Sequence, residues 1–503
     1  MSLLLAAGGL GCYRATGQSA PTTRAEQIPA TGGARVGGIK ATAGPGDYFL
    51  GNDYLRVAVD GARFGVAPGQ LGAPSGGSIL DIGGVALDTS YKQVATPTDN
   101  LERLSPVANQ DPDLPLVFDQ YDVSNTADVS VLTMRGYLLD PLHKLAGASW
   151  DSEGRVQGVT VVQTLSLGAQ DYFFTVDTQV TNGGASVLPI LSLGDYLLQR
   201  GGGYRFIIPA NQDASGAPLS SWGLDIPGSS FSDPINTSVR APEVLLQGAE
   251  PSAGDLDSHL SLGILPADAD QLLVASDPQT ALGSIRPANP KRLVAGSLPA
   301  ASPLAPGGTL KYRRLIFPVA GVSGAGSTQD PNTIFNSVQT KRAALRGLTL
   351  GMVSYRTMDA AAKNGSRVTE VRFERYIGTS ATPETDSTPS HWVLECLTVP
   401  ESGENPDFVG GYQNILLPVV PDPADPSKHA PYRIVLKDGV NAETDYLFKN
   451  ANDEVTQVQP AYLRPDSAKT FRITQSLSPD RSQTTESSGY RIYNPVQIDF
   501  LSL

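Results

Sequence analysis

Histidine is the residue type that narrows the chemistry first. The chain has four, His143, His259, His391 and His429, and no two lie two or four positions apart. Neither of its two cysteines, Cys12 and Cys396, has a partner at metal-ligand spacing. No metal or other cofactor is therefore expected, and no residue is assigned as catalytic. His143, in DPLHKL, reads as a loop histidine, and His259, in DSHLSLGIL, as the start of a strand. A denser set of polar and aromatic residues lies elsewhere: Asp195, Tyr196, Arg200, Tyr204 and Arg205, with Trp222 further along. Aromatic faces stack on sugar C–H groups while Arg and Asp take hydroxyls, so Asp195, Tyr196, Arg200, Tyr204 and Trp222 are the candidate ligand-binding residues. The plainer alternative is that Tyr and Arg cover a sheet edge and Asp195 caps a turn.

Other groupings promise less. Asp111-Pro112-Asp113 and Asp268-Ala269-Asp270 supply carboxylates without the full alternation of a calcium loop, so solvated turns are expected. Ser75-Gly76-Gly77-Ser78 opens a strand, with no helix to turn a dipole toward a phosphate. There is no G-x-S-x-G elbow, and Cys396 sits in an apolar strand with no flanking histidine to activate it.

The elements that must position these residues are strands. From Asp171 the sequence DYFFTVDTQV alternates with period two, and Asn182-Gly183-Gly184 follows as a turn. The apolar run Leu188 to Leu193 predicts a strand buried on both faces, ending at Gly194-Asp195-Tyr196. Three glycines, Gly201 to Gly203, permit a sharp bend before a strand from Tyr204 to Ile208. Further strands are predicted at Leu55 to Val59, Ser78 to Ile82, Val117 to Asp122, Val129 to Leu138, Val156 to Leu167, Leu260 to Leu265, Gln271 to Ala275 and Thr309 to Pro318. Residues 210 to 256 read as a long loop over one sheet edge. A helix is expected from Asp330 as cap through Pro331, Ile334, Val338 and Leu345 to a stop at Gly347, with Lys341, Arg342 and Arg346 near its end. Residues 348 to 503 are again β in character.

Composition agrees with many short strands: 52 Gly, 39 Pro and only 17% charged residues in 503. The formal net charge of -13, with no run of Lys or Arg, excludes nucleic acid as an expected partner. No apolar run reaches the ~18 residues of a transmembrane helix. The first 25 residues combine an apolar run, Leu3 to Leu10, with Gly11-Cys12 and a Ser/Thr/Ala/Pro tail, which looks like a bacterial lipoprotein signal and tether. It lacks a basic residue before the apolar run. The expectation is an exported chain, lipidated at Cys12, as an outer-membrane lipoprotein or an extracellular protein.

The segments GDY-L-ND--RV-V from Gly46, the glycine-rich loop ending GG-ILD at Asp81, VTNGG, and LGDYL before FIIP form an ordered series. Over residues ~45 to 345 this series resembles the N-terminal region of large secreted proteins found among myxobacteria, which in many members precedes a CehA/McbA-type metallohydrolase domain. The resemblance implies a galactose-mutarotase-like β-supersandwich followed by a carboxypeptidase-regulatory-like, immunoglobulin-type β-domain. The clustered histidines of the metallohydrolase are not found in this sequence. The expected organisation is a signal and tether over 1–25, an all-β supersandwich over 26–346 ending in the helix, and a C-terminal β-sandwich region over 347–503 of one or two modules. The expected function is a non-catalytic cell-envelope scaffold that binds a glycan or a cell-surface protein. Two alternatives are a carbohydrate-active enzyme using the supersandwich cleft and a structural subunit that builds a layer or filament through exposed β edges.

Overall fold

The computed structural model describes residues 22–36, 42–61, 76–84, 101–199, 205–208, 212–213, 215, 224–226, 239–241, 243–247, 260–269, 271–276, 291–320, 340–358, 370–386, 388, 391–398, 409–437, 442–449, 455–463, 468–473 and 498–500. The chain divides into two compact units, 21–334 and 335–503. Both are built from antiparallel sheets, so the protein is all-β with one short α-helix, 340–346, and a single 3-10 turn, Pro383–Thr385, among the described residues.

The first unit begins with β1 (Arg24–Gln27), β2 (Tyr48–Gly51), β3 (Leu55–Val59), β4 (Ile79–Gly84) and β5 (Leu101–Ala108). A long meander follows in β6 (Leu116–Asn125), β7 (Val129–Leu138), β8 (Val159–Gly168) and β9 (Phe174–Asn182). Then come β10 (Leu193–Gln199), β11 (Arg205–Ile208), β12 (Gln212–Asp213), β13 (Leu224–Ile226), β14 (Val239–Ala241) and β15 (Val244–Gln247). The unit closes with β16 (Leu260–Pro266), β17 (Leu272–Ser276), β18 (Lys291–Gly296) and β19 (Thr309–Ala320). Ten strands form one sheet in the order β1-β2-β3-β4-β5-β10-β18-β17-β14-β12, and nine form the other in the order β13-β11-β15-β16-β19-β9-β8-β7-β6.

Period-two alternation decides which side chains lie between these sheets. Along β9 burial alternates residue by residue, with Phe174, Val176, Thr178, Val180 and Asn182 inside. One hydrophobic core takes Leu55, Val57 and Val59 from β3, Leu193 and Leu197 from β10, Val161 and Leu165 from β8, and Ile316 from β19. Burial of this kind stabilises by ~25 cal/mol per Å² of apolar surface, which outweighs the weak strand propensity of the many Gly- and Pro-bounded segments.

Several expectations are corrected. The apolar run Leu188 to Leu193 is not a strand. Leu188 makes only an isolated bridge to Leu304, and ladder pairing on β10 starts at Leu193. Pro189 lacks a ladder donor, so an apolar run alone does not make the strand there. The expected tether reached residue 25, yet Arg24–Gln27 pairs with β2, and Ala25 N–H donates to Asn125 Oδ1 while the Ala25 carbonyl accepts from Asn125 Nδ2. The expected loop over 210–256 contains the short strands β12 to β15. Strands β5 and β18 had not been expected.

The second unit holds β20 (Thr349–Met358), β21 (Glu370–Tyr376), β22 (Trp392–Thr398), β23 (Val409–Val419) and β24 (Pro431–Lys437). It continues with β25 (Ala442–Lys449), β26 (Val455–Leu463), β27 (Ala468–Ile473) and β28 (Ile498–Phe500). They make a four-stranded sheet, β23-β20-β25-β26, and a five-stranded one, β22-β21-β24-β27-β28. Helix 340–346 belongs to this unit and not to the supersandwich. Its Ala343 packs with Leu350 and Leu416, and its buried Arg342 lies 3.9 Å from Glu395 on β22. Gly347, at φ +65, ends it. Asp330, Pro331, Ile334 and Val338 lie outside the described residues.

Candidate functional site

Strand β10 lies between β5 and β18 in the middle of the ten-stranded sheet, and its two faces have different chemistry. Asp195 points between the sheets. Tyr196 points to the outer face, where it packs with Val107 and Val294. Adjacent strand residues face opposite ways, so these two neighbours in sequence do not share a surface.

On the inner face, Arg314 of β19 donates from Nη2 to Asp195 Oδ1 and from Nη1 to the Thr178 hydroxyl. Thr178 in turn donates to Gln163 Oε1 at 2.7 Å. Gln163, Thr178 and Tyr312 stand in direct register across β8, β9 and β19, so one polar row crosses an otherwise apolar core. Asp195 and Arg314 are each 1% exposed. Burial pushes the Asp195 carboxyl above the usual aspartate range, and the Arg314 charge only partly offsets it. Burial, reinforced by the charge of Asp195, pushes the Tyr312 phenol well above its ordinary value. A carboxylate sealed this way ties two sheets together and is not presented to a ligand.

On the outer face, register places Ser105 and Val294 on either side of Tyr196, and Arg103 and Arg292 at the positions flanking Leu198. Arg240 of β14 stands opposite Leu273, which stands opposite Gly296, on the same face. Tyr196 is 5% exposed, so its ring braces this face, whereas Arg103, Ser105 and Arg240 are half-buried. Ser105 Oγ shares a 2.8 Å hydrogen bond with Ser78 Oγ. Phenol, hydroxyl and guanidinium groups are thereby arranged over the adjacent strands β5 and β10, with a further guanidinium on β14 across the sheet.

Of the candidate ligand-binding residues, Asp195 and Tyr196 are thus placed on opposite faces. Arg200, Tyr204, Trp222 and His259 lie outside the described residues, as does Cys12. Arg205 begins β11 in the other sheet. Arg103 and Ser105 went unpredicted because Pro106 interrupts the β5 sequence LERLSPVA and hides its alternation, and Arg240 because β14 falls in the stretch expected to be a loop. Arg314 had a readable signal. The tandem Arg313-Arg314 in a strand of a two-layer sandwich sends one guanidinium to each face, so one must be buried and needs a carboxylate on the opposing sheet. Arg313 accordingly pairs outside with Asp177 at 3.1 Å.

The motifs that carried the family resemblance are structural. Asp47 accepts from the amides of Gly44 and Gly61, and Asp81 from those of Thr42 and Ala43. Asn52 accepts from Tyr54 and Leu55 and donates to the carbonyls of Gly168, at the end of β8, and Asp171, in the β8–β9 connection. Asn182 donates to the carbonyls of Ser186 and Leu304 and accepts from Gly184. Each polar side chain closes a loop whose backbone groups would otherwise be buried without partners.

The remaining sites are also local. Lys144 Nζ donates to Asp111 and Asp113, each at 2.7 Å, so an internal ammonium takes the place where a calcium loop would hold a cation. Burial works against that ammonium, but the two carboxylates outweigh it and raise its pKa. His143, in a left-handed conformation at φ +51, stacks on Trp150 with ring centroids 4.3 Å apart. In the second unit, Asp386 Oδ2 accepts from Tyr376 Oη at 2.6 Å and lies 2.7 Å from His391 Nδ1. No group of three or more His, Cys, Asp or Glu side chains able to hold a metal occurs among the described residues.

No protein-family model and no curated protein matches the chain. Among solved structures it is similar to a TPR-domain containing protein from Parabacteroides distasonis, at 10% identity and a TM-score of 0.32, covering 62% of this chain and 56% of that one. It is also similar to a putative aldose 1-epimerase from Escherichia coli, at 14% identity and 0.28, covering 53% of this chain and 97% of that one. A galactose mutarotase-like protein from Clostridium acetobutylicum matches at 8% identity and 0.30, over 55% of this chain and 95% of that one. The chain spans little more than half the length of the Parabacteroides protein. All three TM-scores are low, and the likenesses carry no argument about what this chain binds or does.

Proposed function

We propose that this chain is a non-catalytic cell-envelope lipoprotein that binds carbohydrate, or a protein on the cell surface, through the outer face of its ten-stranded sheet. The observation that carries the reading is the register of β5, β10 and β18, which lines up Arg103, Ser105 and Tyr196 on one face. Guanidinium and hydroxyl groups beside an aromatic brace suit the hydroxyls of a glycan. Binding is placed ahead of catalysis because Asp195, the carboxylate on this same strand, is turned inward onto Arg314. The sequence series that resembles the secreted myxobacterial proteins supports a galactose-mutarotase-like first unit and a carboxypeptidase-regulatory-like second one. Export and a lipid at Cys12 rest on the N-terminal sequence alone. No helix among the described residues is long and apolar enough to cross a membrane.

Assembly through the open sheet edges of the first unit is less well supported. The edge strands β1, β12 and β13 have four, two and three residues. The long edge strand β6 shifts register between Phe118 and Gln120 and carries Asp119 and Asp122. Short, bulged and charged edges resist pairing with another chain.

A glycan array probed with the Cys12→Ser chain tests the reading. Arg103→Ala and Ser105→Ala should each weaken retention of whichever glycans the parent holds. Retention unchanged in both would remove the outer face from consideration. In the native host, a Cys12→Ser protein that fractionates with membranes as the parent does would end the lipid-anchor proposal.

A further inference from the structure

The outer face of the ten-stranded sheet carries one sign of charge at its described strand positions. Register places Arg103 and Ser105 of β5, Tyr196 of β10, Arg292 and Val294 of β18 and Arg240 of β14 on it. The register of β5, β10, β12, β14, β17 and β18 sets no aspartate or glutamate on that face. Asp195 is turned inward onto Arg314, and Asp213 stands opposite Val239, whose own partner Val274 lies with it in the inter-sheet core. Glu102 falls where the register between β5 and β10 slips, and stands opposite no residue of β10. In a chain of formal net charge -13, this face departs from the charge of the whole.

Arg103 and Arg240 are half-buried, while Val107, Tyr196 and Val294 on the same face are buried. A guanidinium set against apolar neighbours is partly stripped of water, and its field is screened less than in bulk solvent. An anion is therefore held more strongly there than on an open surface. The group has five N–H donors in a planar fork, so it can keep a partner within the protein and still receive a carboxylate or sulfate.

Resting on the proposed binding of a glycan to this face, we infer that the glycan is anionic: a saccharide bearing carboxylate or sulfate groups, one of which is received by Arg103. Ser105, which shares a hydrogen bond with Ser78, takes a neighbouring hydroxyl. Arg292 stands two strands from Arg103, ~10 Å away across Leu198, and Arg240 two strands further on. A saccharide with several acidic residues thus meets the same sign of charge along its length. A neutral sugar gains hydrogen bonds from these arginines but no charge pairing.

The Cys12→Ser chain, on an array that sets neutral glycans beside their uronate and sulfated counterparts, tests this. Acidic members should be retained over their neutral counterparts, and raising salt from about 50 to about 500 mM should weaken them selectively. Arg103→Gln should weaken acidic members by about tenfold or more and neutral ones much less, with Arg103→Lys intermediate because it keeps the charge without the fork. A preference for the uronate or the sulfated set identifies which anion the face takes. Equal retention of neutral and acidic members, unaffected by salt, would overturn the inference and leave glycan binding in place. No retention of any glycan would overturn both. The salt series needs no substitution on this face, so it decides the question of charge even where an Arg103 variant folds poorly.

Discussion

Asp195 on β10 and Arg314 on β19 form an ion pair from opposite sheets, each at 1% exposure, so the two layers of the first unit are joined through a charged contact inside an apolar core. Such a pair adds little net stability over well-packed apolar residues, but losing one member leaves a buried charge without compensation.

Arg314→Met should therefore destabilise the chain by about 3–5 kcal/mol near pH 7. Burial already raises the Asp195 carboxyl above its ordinary value, and loss of the guanidinium raises it further. A group whose folded pKa is raised contributes stability that is fully present below its unfolded value of about 3.9 and is lost as pH rises through the folded one. The deficit of Arg314→Met should accordingly shrink as pH is lowered from about 7 toward 5. Urea unfolding at both pH values checks this. A deficit that is negligible, or that grows on acidification, would contradict the burial of the pair.

The second unit has the opposite pH sign. Burial acts to raise the Asp386 carboxyl, but hydrogen bonds from Tyr376, His391 and Thr388 outweigh it and hold the group well below the usual aspartate range. Its stabilisation is present above about pH 3.9 and is lost as pH falls below that value through the depressed folded pKa. Acid should loosen the loop between β21 and β22, whose Trp392 indole donates to the Asp386 carbonyl at 2.9 Å. Asp386→Asn should be less stable than the parent near neutrality and should lose less on going below about pH 4. Trp392 fluorescence follows both proteins, and equal acid sensitivity would remove Asp386 as the group responsible.

Helix 340–346 depends on a third charged arrangement. Glu395 receives Arg375 Nε at 2.6 Å and faces Arg342 at 3.9 Å, all three being largely buried. Glu395→Ala removes the carboxylate from two arginines and should cost about 3–5 kcal/mol. Amide exchange should rise at Leu348, whose N–H donates to the Ala343 carbonyl at 2.9 Å and closes the helix end. Unchanged exchange there would show that apolar packing alone docks the helix.

Strand periodicity was readable wherever one face is apolar and the other polar. Val129–Leu138 follows its predicted bounds, and the alternation of Thr175, Asp177 and Gln179 against Phe174, Val176 and Val180 appears directly in the burial of β9. It failed where local chemistry interrupts the pattern. Pro106 masks β5, and the apolar run at Leu188 is diverted into a bridge with Leu304. The candidate site was half legible for a related reason. Asp195 and Tyr196 are adjacent polar and aromatic residues in sequence, but a strand separates neighbours onto opposite faces, so proximity along the chain does not become a shared surface. The partners of Asp195 come from residues 119 positions away, at Arg314, a distance no local pattern spans.

Asn52 tests whether the recognisable motifs act in structure or in binding. Its side chain makes four hydrogen bonds, two of them to the Gly168 and Asp171 carbonyls. At roughly 1 kcal/mol for each net bond, Asn52→Ala should lose about 2–4 kcal/mol. Glycan retention by the folded fraction should be unchanged. A loss of retention without a loss of stability would move this motif from scaffold to site.

Gly76 and Gly77 make the same point through space. Gly77 sits at φ +85, and a Cβ there would fall within the Phe118 ring; a Cβ on Gly76 would fall on the Phe118 carbonyl oxygen. The close approach is structural, since Phe118 N donates to Gly76 O at 3.0 Å and so draws β6 against the entry to β4. Gly77→Ala combines a left-handed conformation unfavourable to alanine with a steric clash, and should cost more than the ~1 kcal/mol of an ordinary exposed Gly→Ala strain. Phe118→Leu removes the ring that the new methyl would meet but leaves the backbone strain. The double variant Gly77→Ala/Phe118→Leu should therefore be less destabilised than the sum of the two single variants. Strict additivity in thermal unfolding would place the whole cost of Gly77→Ala in the backbone and dissociate the glycine from its contact with Phe118.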